Sequence, residues 1–137
     1  MTSYRERCAV DDVALSQLHA AAFGETPRLV RWGERLARHS LTWFGAFDGG
    51  EVDDGRLVGF VNLAWDGDRH AFLLDAVVAP PRQRHGIGTE LVGRAVGAAS
   101  AAGCTWLHAD YADDLAAFFE QRCGLVPTRA ALVRLHR

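Results

Sequence analysis

The sequence predicts one α/β domain: a mixed sheet, mostly antiparallel, with one parallel strand pair and about four helices. Three observations carry this reading. A chain of 137 residues, 49% hydrophobic and 23% charged, is long enough to bury one core and shows no repeat, low-complexity tract or linker. Three consecutive apolar runs between residues 41 and 79 are joined only by turns, which makes them antiparallel neighbours. One strand-helix-strand unit around Gly86 supplies the parallel pair. We therefore expect residues 1–137 to form a single domain in the order β-α-α-β-β-β-α-β-α-β.

Each element has a local cause. "YRERCAV" sets Tyr4, Cys8 and Val10 on one face of a first strand, with Glu6 against the pattern. Asp11 and Asp12 offer an N-cap; Leu15, Leu18 and Ala22 follow with helical spacing, and Gly24 ends the helix. A second helix is expected to open with Thr26 as cap and Pro27 at its first position, with Leu29, Trp32 and Leu36 as its stripe. "LTWFGAF" and "RLVGFVNLAW" read as strands, joined by a polar loop between Asp48-Gly49 and Asp54-Gly55. After the Asp66-Gly67 turn, "HAFLLDAVVAP" is apolar on both faces apart from Asp75, as in a central strand, and Pro80-Pro81 ends it. A helix runs from Gly86 to about Ala102 with Leu91, Val92, Ala95, Val96 and Ala99 inward and Gly103 as its cap. "CTWLHAD" is a fifth strand, "DDLAAFFEQRCG" a short helix capped by Gly124, and "ALVRL" a closing strand.

Composition narrows the function classes. Net charge is −2, so no global basic field recruits nucleic acid. No apolar run approaches membrane-spanning length, and the charged start "MTSYRERCAV" lacks the apolar region of a secretory signal. Cys8, Cys104 and Cys123 are odd in number and widely spaced, matching neither a zinc nor a disulfide framework, so no metal is expected and reduced thiols in a cytoplasm are. All 15 basic residues are Arg, and Ile87 and Asn62 are each the single one of their kind. That bias reads as GC-rich, bacterial coding. A homodimer is left open.

The stretch with chemistry in it is "APPRQRHGIGTELV", residues 79–92. A helix N-terminus exposes unpaired N–H groups and about half a positive charge. Gly86 and Gly88 bare the backbone there, and Arg82, Arg84 and His85 add positive potential, which together suit a phosphate or pyrophosphate. A dinucleotide-binding turn fits poorly. Leu91 stands where its third glycine belongs, although Asp110 lies 22 residues after Gly88, near the place of a ribose-binding acid.

The same residues resemble the acyl-CoA signature of the GNAT N-acetyltransferase superfamily. Val78-Ala79-Pro80 matches its strand-ending Val-x-Pro, and Gln83-Arg84-His85-Gly86-Ile87-Gly88 its Gln/Arg-x-x-Gly-x-Gly/Ala turn. "FFEQRCGL" is similar to the family's later Tyr-containing helix and Gly-Phe turn, and the element order agrees. The resemblance implies a GNAT-like fold and an acetyl-CoA co-substrate. Its pyrophosphate would rest on the amides of Arg84 to Thr89, including those of Ile87 and Thr89. Its pantetheine would pair beside Val77, Val78 and Ala79 where the sheet splays open before "CTWLHAD". A primary amine of a small-molecule or peptide acceptor would attack the thioester directly. The first two helices would cover the acceptor, placing specificity in residues 24–36.

Asp75, the one charge in an apolar strand, is the candidate general base, with a structural carboxylate paired to His70, His108 or an Arg as the alternative. His108 shares a strand face with Trp106 and Asp110 and is a candidate relay, while His19, His39, His70 and His136 show no convergent partners. The position matched to the family's tyrosine acid is Phe119, which has no proton to give; Phe118 and Phe119 pack or lie against pantetheine. Tyr111 is the replacement hydroxyl. Trp32, Trp43, Trp65 and Trp106 line a pocket or fill the core, and Glu25 either meets a cationic amine or is solvated. A non-catalytic acyl-CoA binder or sensor is the alternative that Phe119 suggests.

Overall fold

The computed structural model describes residues 1–49 and 55–136. Five strands form one sheet in the order β1-β2-β3-β4-β5: β1 Thr2–Glu6, β2 Ser40–Asp48, β3 Arg56–Trp65, β4 His70–Val78 and β5 Trp106–Ala109. The first three pairings are antiparallel and β4 with β5 is parallel; the tight turn at Asp66-Gly67 makes β3 and β4 antiparallel, and the crossover through α3 makes β4 and β5 parallel. Helices α1 (Asp12–Phe23) and α2 (Trp32–His39) cover one face, and α3 (Ile87–Ala101) covers the other. One core lies under α3, with Val61, Leu63, Ala71 and Leu73 of the sheet meeting Ile87, Leu91, Val92, Ala95 and Ala99. The second joins Leu15, Leu18, Trp32 and Leu36 to Trp43, Phe60 and Val77. Among the described residues no helix is long and apolar enough to cross a membrane.

Several elements depart from expectation. β1 stops at Glu6, because Arg7 takes φ 51° and gives its amide to the Trp43 carbonyl at 2.7 Å; Cys8 and Val10 then pack outside the strand. Helix α1 follows its signals: Asp11 accepts from the Val13 and Ala14 amides, and Gly24 closes it at φ 66°. Helix α2 begins at Trp32, not Pro27. Tertiary hydrogen bonds hold the chain before it: the Val30 amide donates to Ser16 Oγ (3.0 Å) and the Gly33 amide to Asp12 Oδ1 (2.9 Å), and Leu29 is left exposed. β4 is buried on one face only; Phe72 and Leu74 are open to solvent because α1 and α2 do not extend over them. Val96 lies past the edge of the α3 stripe and is exposed. Asp54 of the anticipated hairpin loop falls outside the described residues. The expected closing strand "ALVRL" is absent: residues 126–136 are exposed and carry no regular structure.

The sheet opens where chemistry was expected. Parallel pairing runs from His70↔Trp106 to Leu73↔Ala109 and stops, leaving the β5-facing side of Leu74–Val78 without a strand partner. At the same point β4 bulges: Asn62 pairs Leu74, but Phe60 pairs Val77. Asp75 sits in this irregularity with φ 54°, a conformation that Asp tolerates better than most side chains.

Candidate functional site

The glycine turn follows a 3-10 turn, Pro80–Arg82. Gly86 is the N-cap of α3 at φ 84°, a value open to glycine at little cost, and it brings no capping side chain. The amides of Gly86, Ile87, Gly88 and Thr89 form no hydrogen bond among the described residues, while Glu90 is the first to bond back, to the Gly86 carbonyl at 3.0 Å. They leave a cluster of donors at the positive end of a 15-residue helix. Ile87 is buried, so only its backbone faces the turn. Gly88 is needed for closeness: a Cβ there would lie 3.1 Å from Phe118 Cζ.

The charged residues of the turn divide. Arg84 and His85 are exposed and free to act on an anion, Arg84 with φ 65°. Arg82 does not join them, contrary to expectation. Its Nε lies 2.7 Å from Asp48 Oδ2 in a close ion contact, and its Nη2 donates to Thr2 Oγ1 at 2.9 Å, so it ties the turn to β1 and β2. Gln83 folds back, its Nε2 donating to the Val78 carbonyl at 3.0 Å. The Ala79 amide is taken by Val58 O at 2.8 Å; Val77 is buried in the second core and Val78 is half-buried.

Asp75 has partners that sequence reasoning missed. Its side chain is 13% exposed, and it accepts from His19 Nε2 at 3.2 Å and from Asn62 Nδ2 at 3.1 Å, with Arg35 Nη2 at 3.7 Å. A carboxylate only accepts, so His19 carries its proton on Nε2. Asn62, the chain's single asparagine, is fixed by Ser40, whose hydroxyl donates to its Oδ1 at 2.5 Å. The expected partners His70 and His108 are elsewhere. Their Nδ1 and Nε2 meet each other at 2.8 Å, and His108 stacks on Phe72. The available signals were a lone polar residue in each of two neighbouring apolar strands, and a histidine one residue along from Leu18 on the inner side of α1.

A cavity of about 120 Å³ stands over Asp75, walled by α1, α2 and the segment between them. Glu25, Arg28, Trp32 and Arg35 line it, within the stretch expected to hold specificity, together with His19 of α1. The Arg35 guanidinium lies 4.8 Å above the Trp32 ring. The Trp32 indole N–H is buried without a hydrogen-bond partner among the described residues. Trp43 is core, Trp65 is half-buried and Trp106 is exposed. A larger depression of about 350 Å³ lies between β1, β2 and α3, away from the glycine turn.

The two phenylalanines point in different directions. The segment Ala117–Arg122 is a π-helical turn. It points Phe118 at Gly88 and packs Phe119 in the main core. Tyr111 stacks on Phe119 at 4.8 Å, and its hydroxyl donates to Glu120 Oε2 at 2.8 Å. That hydrogen bond, with burial and the Glu120 charge behind it, raises the phenol above its ordinary range. Burial likewise raises the thiols of Cys8 and Cys123, which disfavours a thiolate at either.

Comparison with known proteins agrees with this fold. A mycothiol acetyltransferase of Nocardia farcinica is 42% identical over 57 residues, covering 42% of this chain and 19% of that protein; the chain thus spans about a fifth of that relative. An acetyltransferase of the GNAT family from Streptococcus pneumoniae shares the fold, with TM-score 0.74 at 21% identity over 99% of this chain and all of the other. AAC(6')-Iy, solved with the bisubstrate analogue CoA-S-monomethyl-acetylneamine, aligns with TM-score 0.69 at 17% identity over 100% of this chain and 99% of that one. A model of the Acetyltransferase (GNAT) family matches residues 11–125, most of the chain and all of the site, and the protein belongs to that family.

Proposed function

We propose that the chain transfers the acetyl group of acetyl-CoA to a primary amine by direct attack. The observation that carries this reading is the coincidence of three features: the unpaired amides at Gly86–Thr89, the open side of β4 from Leu74 to Val78, and a carboxylate at that opening. The amides and the α3 N-terminus would take the pyrophosphate, with Arg84 and His85 alongside. The pantetheine would lie along the open side of β4, its pairing limited to groups other than the committed Ala79 amide.

The acceptor would enter the cavity between α1 and α2, where Glu25 and Asp75 attract an ammonium. Asp75 takes a proton from the amine nitrogen, and the freed lone pair forms the C–N bond. The C–S bond breaks as the tetrahedral carbon collapses, CoA leaves as a thiolate, and the second nitrogen proton, released on collapse, balances the one that the thiolate takes up. His19, whose Nε2–H donates to the carboxylate, orients Asp75, and Asp75 gives the proton up to water in the cavity. Tyr111 is the candidate donor to the thiolate, although its hydroxyl is held by Glu120; His108 acts only as a distant relay, since it faces His70.

A second reading has one observation in its favour. Phe119 gives no proton and Tyr111 is engaged, which suits a protein that binds acyl-CoA without turning it over. Thiol release from acetyl-CoA with a panel of primary amines separates the two. Turnover with any amine, saturable in both substrates, supports transfer. Tight CoA binding with no release above the uncatalysed rate supports the binder.

A further inference from the structure

The cavity over Asp75 is balanced in charge. Two carboxylates line it, Glu25 and Asp75, and so do two guanidinium groups, Arg28 and Arg35. An acceptor rich in cations gains from a wall of one sign, and here it would meet Arg28 and Arg35 as well. The two signs also stand side by side. Arg35 Nη2 lies 3.7 Å from Asp75 Oδ2, past hydrogen-bond reach, so that contact takes up none of its five donors. The guanidinium is held in place by the Trp32 ring, 4.8 Å away on the same helix, and Trp32 is itself buried. Asp75 accepts one hydrogen bond on each oxygen, from His19 and Asn62, which leaves each oxygen a free lone pair.

We propose that the acceptor is a free α-amino acid, with its amine at Asp75 and its carboxylate on Arg35. The proposal rests on the amine transfer described above and names the acceptor for it. A charge pair set this close on the wall calls for an equally close pair on the ligand, and an α-amino acid carries ammonium and carboxylate on one carbon. The planar fork of Arg35 matches two carboxylate oxygens. Size agrees. The cavity, about 120 Å³, is near that of one that holds benzene, about 150 Å³, so it takes a group of about six non-hydrogen atoms. A longer side chain would project past the exposed Glu25 and Arg28, neither of which is in an ion pair among the described residues.

The test is thiol release from acetyl-CoA with the common L-amino acids, each beside its own carboxamide, and with spermidine as a polycation. The amino acid that is turned over best should exceed its carboxamide by about tenfold or more in kcat/KM, the scale of one hydrogen bond to a charged group. α-Aminobutyrate should likewise exceed γ-aminobutyrate, whose charges lie further apart. Arg35→Gln should remove the preference for the acid over the amide, and Arg35→Lys should keep part of it. Because the preference is a ratio, any shared effect of Arg35 on Asp75 cancels, and the wild-type comparison needs no variant to fold. Equal turnover of acid and carboxamide overturns the proposal while leaving transfer to an amine intact; a carboxamide also mimics the first residue of a peptide. Spermidine as the best acceptor overturns it too, as does a preference untouched by Arg35→Gln. If no amine is turned over, the transfer itself fails, and calorimetry on the CoA-saturated protein decides the proposal. Amino acids bound more tightly than their carboxamides then support it, and equal or absent binding overturns it.

Discussion

Asp75→Asn is the sharpest perturbation of the site, because the structure separates its chemical effect from its structural one. Asn, like Asp, tolerates the φ of 54° found at this position, so the backbone cost is small. The amide oxygen can still accept from Asn62, whose orientation Ser40 fixes. What is lost is the negative charge facing His19 and the partly exposed Arg35. With the carboxylate 13% exposed and its partners 27% and 45%, the lost pairing lies at the upper end of the surface range, about 1 kcal/mol, which amounts to about 3–5 °C in Tm for a chain of this length. The loss of a general base is larger, about 10²-fold or more in kcat/KM. Asp75→Ala is the contrasting variant. It adds about 1–2 kcal/mol of left-handed strain and leaves a buried Asn62 donor unmet for about 1–3 kcal/mol, so it should unfold several degrees lower. The assay is thiol release with the best amine, alongside calorimetry of CoA binding and a thermal melt on one preparation. Asp75→Asn with a melt lowered by only about 3–5 °C, unchanged CoA affinity and a loss of about 10²-fold in kcat/KM supports the base. Full turnover per folded molecule with an unmoved pH–rate profile removes Asp75 from the chemistry and leaves His19, His108, Asp110 or a water.

Four further outcomes follow from the same geometry. Gly86→Ala forces a side chain to φ 84° at a cost of about 1–2 kcal/mol, and calorimetry should show CoA affinity about tenfold weaker or worse. Gly88→Val should do the same by pushing on Phe118, and Phe118→Leu should restore part of the loss; no effect on CoA binding from either glycine would refute the anion role of the turn. Arg84→Ala should lower CoA affinity and flatten its salt dependence, since exposed charges are screened over about 10 Å at 0.1 M salt, while Arg82→Ala should instead lower Tm because it breaks the tie to Asp48 and Thr2. Asp66 is held below its ordinary range first by the His70 amide and then by the Asp68 amide, so its contribution is present above about pH 4 and is lost as pH falls; the Tm gap between wild type and Asp66→Asn should narrow toward about pH 2.

Local signals were legible and distant ones were not. The Asp11 cap, the Gly24 stop, the Asp66-Gly67 turn and the glycine turn are each fixed by a few adjacent residues, and each formed where it was read. The start of α2 failed because Ser16 and Asp12, far back in the chain, supply acceptors that outweigh the Thr26-Pro27 signal. Asp75 was visible as a charge out of place, but its partners come from α1, α2 and β3, and no spacing within one element joins them. That Phe118 faces Gly88 while Phe119 packs in the core has a helical cause. The Cys123 amide reaches back five residues to the Phe118 carbonyl, and this wider turn rotates the segment away from the α-helical spacing assumed for it. The closing strand had the right composition and no partner among the described residues, which strand propensity alone does not reveal.

The most direct measurement is a crystal structure of the protein with CoA bound. The account predicts pyrophosphate oxygens about 3 Å from the amides of Gly86 to Thr89, Phe118 against the cofactor beside Gly88, and the thiol opening toward Asp75 between β4 and β5. Pyrophosphate seated away from α3, or a thiol on the side of the sheet remote from Asp75, would contradict it.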